Sequence, residues 1–298
     1  MTNKPTSDKS SPPWVAAART SAAFLGRFHD SVPQFLQPVT FKVVETAEEL
    51  LEASHLAYRE YLKRNYVKPN EYRLKLSLYH ALPTTTVFIA QHRKAGIIGT
   101  LTLVEDSPFG LPMEEIYRAE VDQLRQHNFR LAEATSLALN TELFGRGVFT
   151  LFHAKKLLLT LRLFRVMFDY LRSCTATDEL VACFNPKHQI LYEFLQLQPL
   201  GGLKAYASAN DNPAIARHLN VAQTEMQATT HVAYRLFYGQ KPTPTVFANR
   251  LKFSEHDLRR VFVELAPVFA AASIHELDLI KRCYPTYDFS AILEGARH

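Results

Sequence analysis

The segment Arg130-Leu-Ala-Glu-Ala-Thr-Ser-Leu-Ala-Leu-Asn140 carries a single carboxylate among apolar and small residues. In a strand, side chains alternate between faces. Leu131, Glu133, Thr135, Leu137 and Leu139 then share one face, and Ala132, Ala134, Ser136 and Ala138 share the other. Glu133 falls on the otherwise apolar face, where burial raises a carboxyl's pKa. A carboxylate poised near neutral pH is what a general base needs. The same pattern also suits a carboxylate at a sheet edge, paired with an arginine, and residue types alone leave both readings open.

Three further groups can do chemistry. In Cys183-Phe-Asn-Pro-Lys-His-Gln-Ile-Leu-Tyr192 a strand ends at Asn185 and Pro186 opens a helix. Helix N-termini offer N–H groups to a phosphate or a developing oxyanion. His188 and Tyr192, four apart, share a face, and the Tyr192 hydroxyl can protonate a leaving thiolate or simply point to water. On the long apolar run that follows Phe149, Lys155, Arg162, Arg165 and Arg172 fall within an arc of about 100°, with Lys156 beside them. This stripe suits an acidic carrier protein or a phosphate arm, and equally a solvated helix face. In Tyr58-Arg-Glu-Tyr61, Arg59 can hold a substrate carboxylate, with Tyr61 beside it as substrate contact or core.

Other chemistries find no support. Three cysteines, Cys174, Cys183 and Cys283, form no CxxC pair. A disulfide framework and a structural zinc site are therefore not expected, and a reducing, cytoplasmic setting is. The twelve histidines show no metal spacing, and neither a Walker A loop nor GxGxxG occurs. Ser107, Ser136 and Ser208 lack a nucleophile-elbow context. The net charge of +5 lacks the dense basic clusters of a nucleic-acid binder. No window of 18 apolar residues spans a membrane.

The elements that must position these groups follow from patterning. Hydrophobic residues make up 47% and charged residues 21%, an ordinary globular balance. Residues 1–36 read as a flexible tail. Within it Trp14–Phe28 forms either a helix docked on its own domain or an interfacial membrane contact. Residues 37–222 read as the catalytic domain and 223–298 as a helical extension. A strand at Phe41–Val44 leads into the capping box Thr46-Ala-Glu-Glu49 and a helix. The spacing predicts a second helix over Asn70–Ala81, stopped by Pro83. Thr85–Gln91 and Ile97–Val104 read as a hairpin, and Met113–Gln126 as a helix behind Pro112. Next come a strand at Arg130–Leu139, a helix at Phe149–Arg172 and a strand at Leu180–Phe184. A helix from Pro186 to Leu197 and strands at Leu203–Ala207 and Ile215–Val221 complete the domain. Thr224, Ser254 and Ser273 each open a predicted helix, with Pro242–Pro244 as a linker. The order implies an α+β fold with a mostly antiparallel sheet.

In its segments Leu56-Ala-Tyr-Arg-Glu-Tyr61, Val87-Phe-Ile-Ala90, Gly99-Thr-Leu-Thr-Leu103, Leu131–Ala138 and Asn185-Pro-Lys-His-x-x-x-Tyr192, the chain resembles the N-acyl amino acid synthases. These are relatives of the acyl-homoserine-lactone autoinducer synthases within the broad N-acetyltransferase (GNAT) fold. The resemblance covers roughly residues 40–220, and it rests on the order of the segments more than on any one of them. It implies transfer of a long acyl chain from an acyl carrier protein thioester to the α-amine of an amino acid. No cofactor is tightly bound, and a phosphopantetheine-linked acyl thioester is the co-substrate. The sheet splays between the two central strands. Glu133 serves as base, Tyr192 protonates the leaving sulfur, and backbone N–H groups stabilise the oxyanion. Arg59, Tyr61, Thr135, Asn185 and His188 bind substrates. Lys155, Lys156, Arg162 and Arg165 dock the carrier protein.

Two departures shape the expectation. Autoinducer synthases carry an arginine three residues after the strand glutamate; here that residue is Ser136, which favours a simple amino acid over lactone chemistry. Phe144-Gly-Arg-Gly147 does not match the acetyltransferase pyrophosphate loop, which favours a carrier-bound donor over free coenzyme A. Alternatives from other classes are acylation of a lipid or autoinducer-type amine, a non-catalytic acyl or carrier binder, and a membrane-surface protein.

Overall fold

The computed structural model describes residues 39–144, 149–227 and 242–294. The expected tail helix at Trp14–Phe28 and the Gly145–Gly147 loop lie outside them.

Seven strands form one sheet in the order β1-β2-β3-β4-β5-β7-β6. They are β1 (Val39–Val43), β2 (Thr85–His92), β3 (Gly96–Glu105), β4 (Leu131–Leu139), β5 (Glu179–Phe184), β6 (Gln198–Tyr206) and β7 (Asn212–Asn220). Every neighbouring pair is antiparallel except β4–β5. The expected α+β class with a mostly antiparallel sheet is what the chain adopts. The parallel pair is short: Leu131–Glu133 face Glu179–Val181, and no further residues pair. Beyond Glu133 the two strands part.

Hydrophobic periodicity explains the layers. On β2, Phe88 and Ala90 point to the side of the long helix α3 (Phe149–Cys174), into a core with Leu159, Leu163, Phe164 and Met167. Val87 and Ile89 point the other way, to α1 (Ala47–Leu62), where Leu50, Ala53 and Leu56 cover them. The helix α2 (Glu114–Gln126) covers β4, β5 and β7 on the same side as Glu133 through Met113, Tyr117 and Val121.

The capping signals behave as expected at three places. Thr46 caps α1 by accepting from the Glu49 N–H, while the Glu49 carboxylate accepts from the Glu45 N–H. Ser254 and Ser273 close capping boxes on α6 (Glu255–Arg259) and α7 (Ile274–Cys283). Together with α8 (Phe289–Ile292) and the segment joining α6 to α7, these helices pack Leu258, Phe262, Phe269, Ile280 and Ile292 into the α1–β2 core. Arg250 ties the segment down by donating to the Pro83 carbonyl (2.8 Å) and Thr86 Oγ1 (3.0 Å).

Three expectations are corrected. Thr224 lies inside α5 (Val221–Gln227), which starts three residues earlier, where the Asn220 side chain accepts from the Gln223 N–H. Residues 70–77 are not helical; only a 3₁₀ turn at Leu78–Ala81 forms. Asn70 holds the chain open instead: its side chain donates to the Leu74 carbonyl (3.0 Å) and accepts from the Leu74 N–H (3.3 Å), and Arg73 adopts φ +53°. Such Asx contacts compete with helical hydrogen bonding.

The third correction concerns β4. Thr102 faces Thr135 and Thr100 faces Ala138, so Ser136 and Leu137 together oppose Leu101. This is a β-bulge, with Ser136 at φ +54°. Past it the faces exchange. Leu137 and Leu139 join Ala132 and Ala134 on the α3 side, away from Leu131. The simple alternation holds only through Thr135.

Candidate active site

A cleft of about 380 Å³ opens where β4 leaves β5. Its β4 wall runs from Ala134 to Leu139 and its β5 wall is Cys183–Asn185. The bulge makes this wall unusual, because Thr135, Ser136 and Leu137 all present surface to the same space.

Glu133 sits at the apex, where strand pairing ends, and is 1% exposed. Oε2 accepts from the Met113 N–H at 2.8 Å. Burial pushes the carboxyl up to about 8, against the opposing pulls of that N–H and of the Lys75 charge. The sheet-edge reading is set aside, since no arginine pairs with Glu133 among the described residues. Glu133 does not itself line the cleft; Ala134 and Thr135, the next residues, do.

Tyr192, on α4 (Gln189–Phe194), stacks on Phe184 with ring centroids 3.5 Å apart and meets Phe164 edge-on at 6.1 Å. It lines the cleft, and burial holds its phenol well above the ordinary value. The group therefore stays protonated and suits proton donation. Tyr61, Thr135, Asn185 and His188 line the same cleft. Burial and the charges of Lys187, Lys156 and Arg64 push His188 down to about 4, so it is neutral at physiological pH. Cys183 lines the cleft as well, but burial and Glu133 push its thiol far up, which disfavours a nucleophilic thiolate.

Asn185 does less anion chemistry than its position suggested. Its Oδ1 accepts from the Lys187 N–H at 3.2 Å, and the helix beyond is a 3₁₀ turn at Pro186–His188 followed by only six α residues. That N–H is taken, so Asn185 acts as a cap.

Arg59 is not brought to the cleft. It lines a separate concavity with His55, Tyr58 and Asn70. The arginine of this region that reaches the cleft is Arg64, two residues past the end of α1. It is anchored on Glu60 at 3.0 Å, and Glu60 is 1% exposed. Burial would raise the Glu60 carboxyl, but hydrogen bonds from Arg64, the Thr141 hydroxyl and Lys63 hold it below the ordinary value.

The basic stripe also divides. Lys156 faces the cleft. Arg162 is half-buried, and burial together with Arg165 lowers its pKa. Arg165 approaches Asp169 at 3.9 Å, and Arg172, nearly buried, pairs with Glu225 at 2.6 Å. Lys155 is half-buried and does not line the cleft.

Patterning missed Lys75, because the helix expected over Asn70–Ala81 concealed it. It lines the cleft, donates to Ser136 Oγ at 2.9 Å and lies 4.9 Å over the Tyr61 ring. The only sequence signal was a lysine flanked by Leu74 and Leu76, which is weak. Among the described residues no cluster of metal-ligating side chains occurs, and no helix is long and apolar enough to cross a membrane.

The described residues thus form a seven-stranded, mostly antiparallel sheet that parts beside a buried carboxylate. Residues 52–220, more than half of the chain, match the family model of the N-acyl amino acid synthase FeeM. The protein belongs to that family. The solved structure of FeeM, an N-acyl amino acid synthase from uncultured soil microbes, is 25% identical with a TM-score of 0.52, covering 63% of this chain and 95% of that one. Fainter likeness extends to the acyl-homoserine lactone synthase LasI (15% identity, TM-score 0.43, 61% and 89% covered). It extends also to MesI, a CoA-dependent acyl-homoserine lactone synthase (14%, 0.45, 66% and 93%). No curated protein sequence matches the chain.

Proposed function

We propose that the protein moves a long-chain acyl group from an acyl carrier protein thioester to the α-amine of an amino acid. The observation that carries this reading is Glu133, a buried carboxyl raised to about 8 at the point where β4 and β5 part. The acceptor arrives as an ammonium ion. Glu133, in its ionised form, takes a proton from it directly or through a water at Thr135. The freed amine attacks the thioester carbonyl, and the carbon–sulfur bond breaks as the tetrahedral intermediate collapses. Tyr192, held protonated by burial, gives its proton to the departing thiolate and recovers one from the attacking nitrogen, which is left as a neutral amide.

The phosphopantetheine arm fits the space between the β4 and β5 walls, whose apolar lining includes Leu137, Leu139, Phe184 and Leu191. Arg64 and Lys156 give the cleft a cationic side, with the exposed Lys187 beside it over the Tyr66 ring, and this suits the phosphate of the arm and an acidic carrier surface. Lys155, Arg162 and Arg165 continue that charge along α3. Ser136, in place of an arginine, supports a simple amino acid acceptor. Residues 242–294, packed on the α1–β2 core, serve as a helical extension to the catalytic domain. A cytoplasmic location follows from a cytoplasmic carrier protein.

The test is incubation with palmitoyl-acyl carrier protein or palmitoyl-coenzyme A and a mixture of amino acids, read by mass spectrometry. N-acyl amino acids formed faster from the carrier are expected. Absence of any N-acyl product from either donor would sink the proposal. Faster turnover of the coenzyme A thioester would overturn its donor half.

A further inference from the structure

The residues between α1 and the 3₁₀ turn at Leu78–Ala81 have no regular secondary structure, yet they are firmly placed. The Tyr58 hydroxyl accepts from the Asn70 N–H at 3.2 Å. Asn70 clips Leu74 on both its N–H and its carbonyl. The Lys75 N–H donates to the Ser54 carbonyl of α1 at 3.1 Å. These contacts aim the Lys75 side chain into the cleft.

There the half-buried ammonium lines the cleft. It meets Ser136 Oγ at 2.9 Å and the face of Tyr61 at 4.9 Å. An ammonium has three N–H donors, and the serine hydroxyl takes one. No carboxylate of the described residues lies within ion-pairing distance of it. Glu133 acts on Lys75 from farther off, and its Oε2 already accepts from Met113. A cation held away from bulk water without a paired anion is costly. A methionine of similar length would fill the space at less cost. The left-handed turns at Arg73 (φ +53°) and Ser136 (φ +54°) are a further expense made for this arrangement.

The missing anion has a natural source in the reaction. An α-amino acid carries its ammonium and its carboxylate on one carbon. Glu133 and Lys75 share one electrostatic neighbourhood at the apex of the cleft, so the base and the cation match the two ends of a zwitterion. The other cations of the cleft belong to a different group: Lys156 senses Arg64 and Glu60, not Glu133.

We propose that Lys75, seated on Ser136, binds the α-carboxylate of the acceptor and makes the enzyme select α-amino acids over amines that lack a carboxylate. This rests on the reading of the protein as an amine acyltransferase.

The experiment compares wild type, Lys75→Met and Lys75→Arg with three acceptors: the best amino acid from the screen above, its carboxamide and its decarboxylated amine. A charged hydrogen bond contributes about 2 kcal/mol, which is about 30-fold at 1.4 kcal/mol per decade. Wild type should therefore prefer the amino acid over the carboxamide by about that factor in kcat/KM. Lys75→Met should bring the ratio close to one, chiefly by raising KM for the amino acid, and Lys75→Arg should keep part of it. A ratio in Lys75→Met within about threefold of wild type, or an equal loss of kcat on all three acceptors, overturns the assignment. Should wild type acylate no amine, the acyl-transfer reading fails on its own terms, and calorimetric titration decides the Lys75 site separately. The probes are then phenylalanine and phenylalaninamide, added to wild type and Lys75→Met. Tighter binding of the amino acid by wild type alone supports the site, and equal or absent binding by both proteins refutes it.

Discussion

Replacing Glu133 with glutamine should make the protein more stable and nearly inactive at once. The carboxyl's ordinary value of 4.5 rises to about 8 on folding. An acid whose folded pKa lies above its unfolded one gives its full contribution to stability below the unfolded value. That contribution is lost as pH rises towards the folded value, at about 1.4 kcal/mol per pH unit. At neutral pH wild type has therefore forgone about 3 kcal/mol, less the attraction to Lys75 that the variant gives up. Glutamine is never ionised, and its oxygen still accepts from the Met113 N–H. Urea unfolding of both proteins should show Glu133→Gln ahead at pH 8 and level with wild type at about pH 4.5. Activity should fall by about 10²–10⁴, the usual contribution of general-base catalysis. A variant equal to or less stable than wild type at both pH values would mean that the carboxylate is ionised on a strong partner. Activity retained at neutral pH would remove Glu133 from the proton transfer.

Other substitutions separate chemistry from packing. Tyr192→Phe should keep the stack on Phe184 and lower kcat by about 10²-fold or more, whereas Tyr192→Ala should cost about 3–5 kcal/mol in chemical denaturation. Gly99→Val places a side chain where a Cβ would already meet Leu139 Cδ2 at 2.9 Å and Leu163 Cδ1 at 3.0 Å. About 1–3 kcal/mol of stability should be lost, read by thermal unfolding. Glu60→Ala strips the buried partner from Arg64, Lys63 and Thr141 and should destabilise by about 3 kcal/mol. Arg59→Ala should leave KM for both substrates within about twofold in steady-state kinetics, because Arg59 lines a separate concavity.

Local signals with a short physical range were readable from the sequence. Thr46, Ser254 and Ser273 mark helix starts because a cap is satisfied within three residues. The β2–β3 hairpin, β4, α3 and β5 follow from apolar periodicity and their turns. Glu133 was legible for the same reason: one carboxylate on an apolar strand face must be buried or paired. What patterning could not reach depends on contacts distant in sequence. The Asn70–Ser77 segment has helical spacing, but Asn70 and Ser54 hold it open, and only the fold brings Ser54 beside Lys75. Arg59 and Arg64 look alike in sequence, five residues apart near the end of α1; the helix's exit angle decides which of them enters the cleft. The basic stripe on α3 reads as one feature, yet Glu225, 53 residues away from Arg172, divides it.

The bulge at Ser136 behaves like a frameshift written into a strand. Before it, odd-numbered residues of β4 face α2, and after it they face α3. A chain with Ser136 deleted would restore regular pairing with β3, with Leu137 opposite Leu101 and the alternation from Thr135 unbroken. Leu137 and Leu139 would stay on the α3 side, so the core would be kept while the cleft wall lost one residue. Lys75 would lose its hydroxyl partner in the same step. The extra residue thus belongs to the cleft and not to the core: it adds a hydroxyl to the wall without moving a leucine out of the α3 packing. Alignments of related chains should accordingly place a one-residue length difference within this strand at the bulge, where both faces survive it.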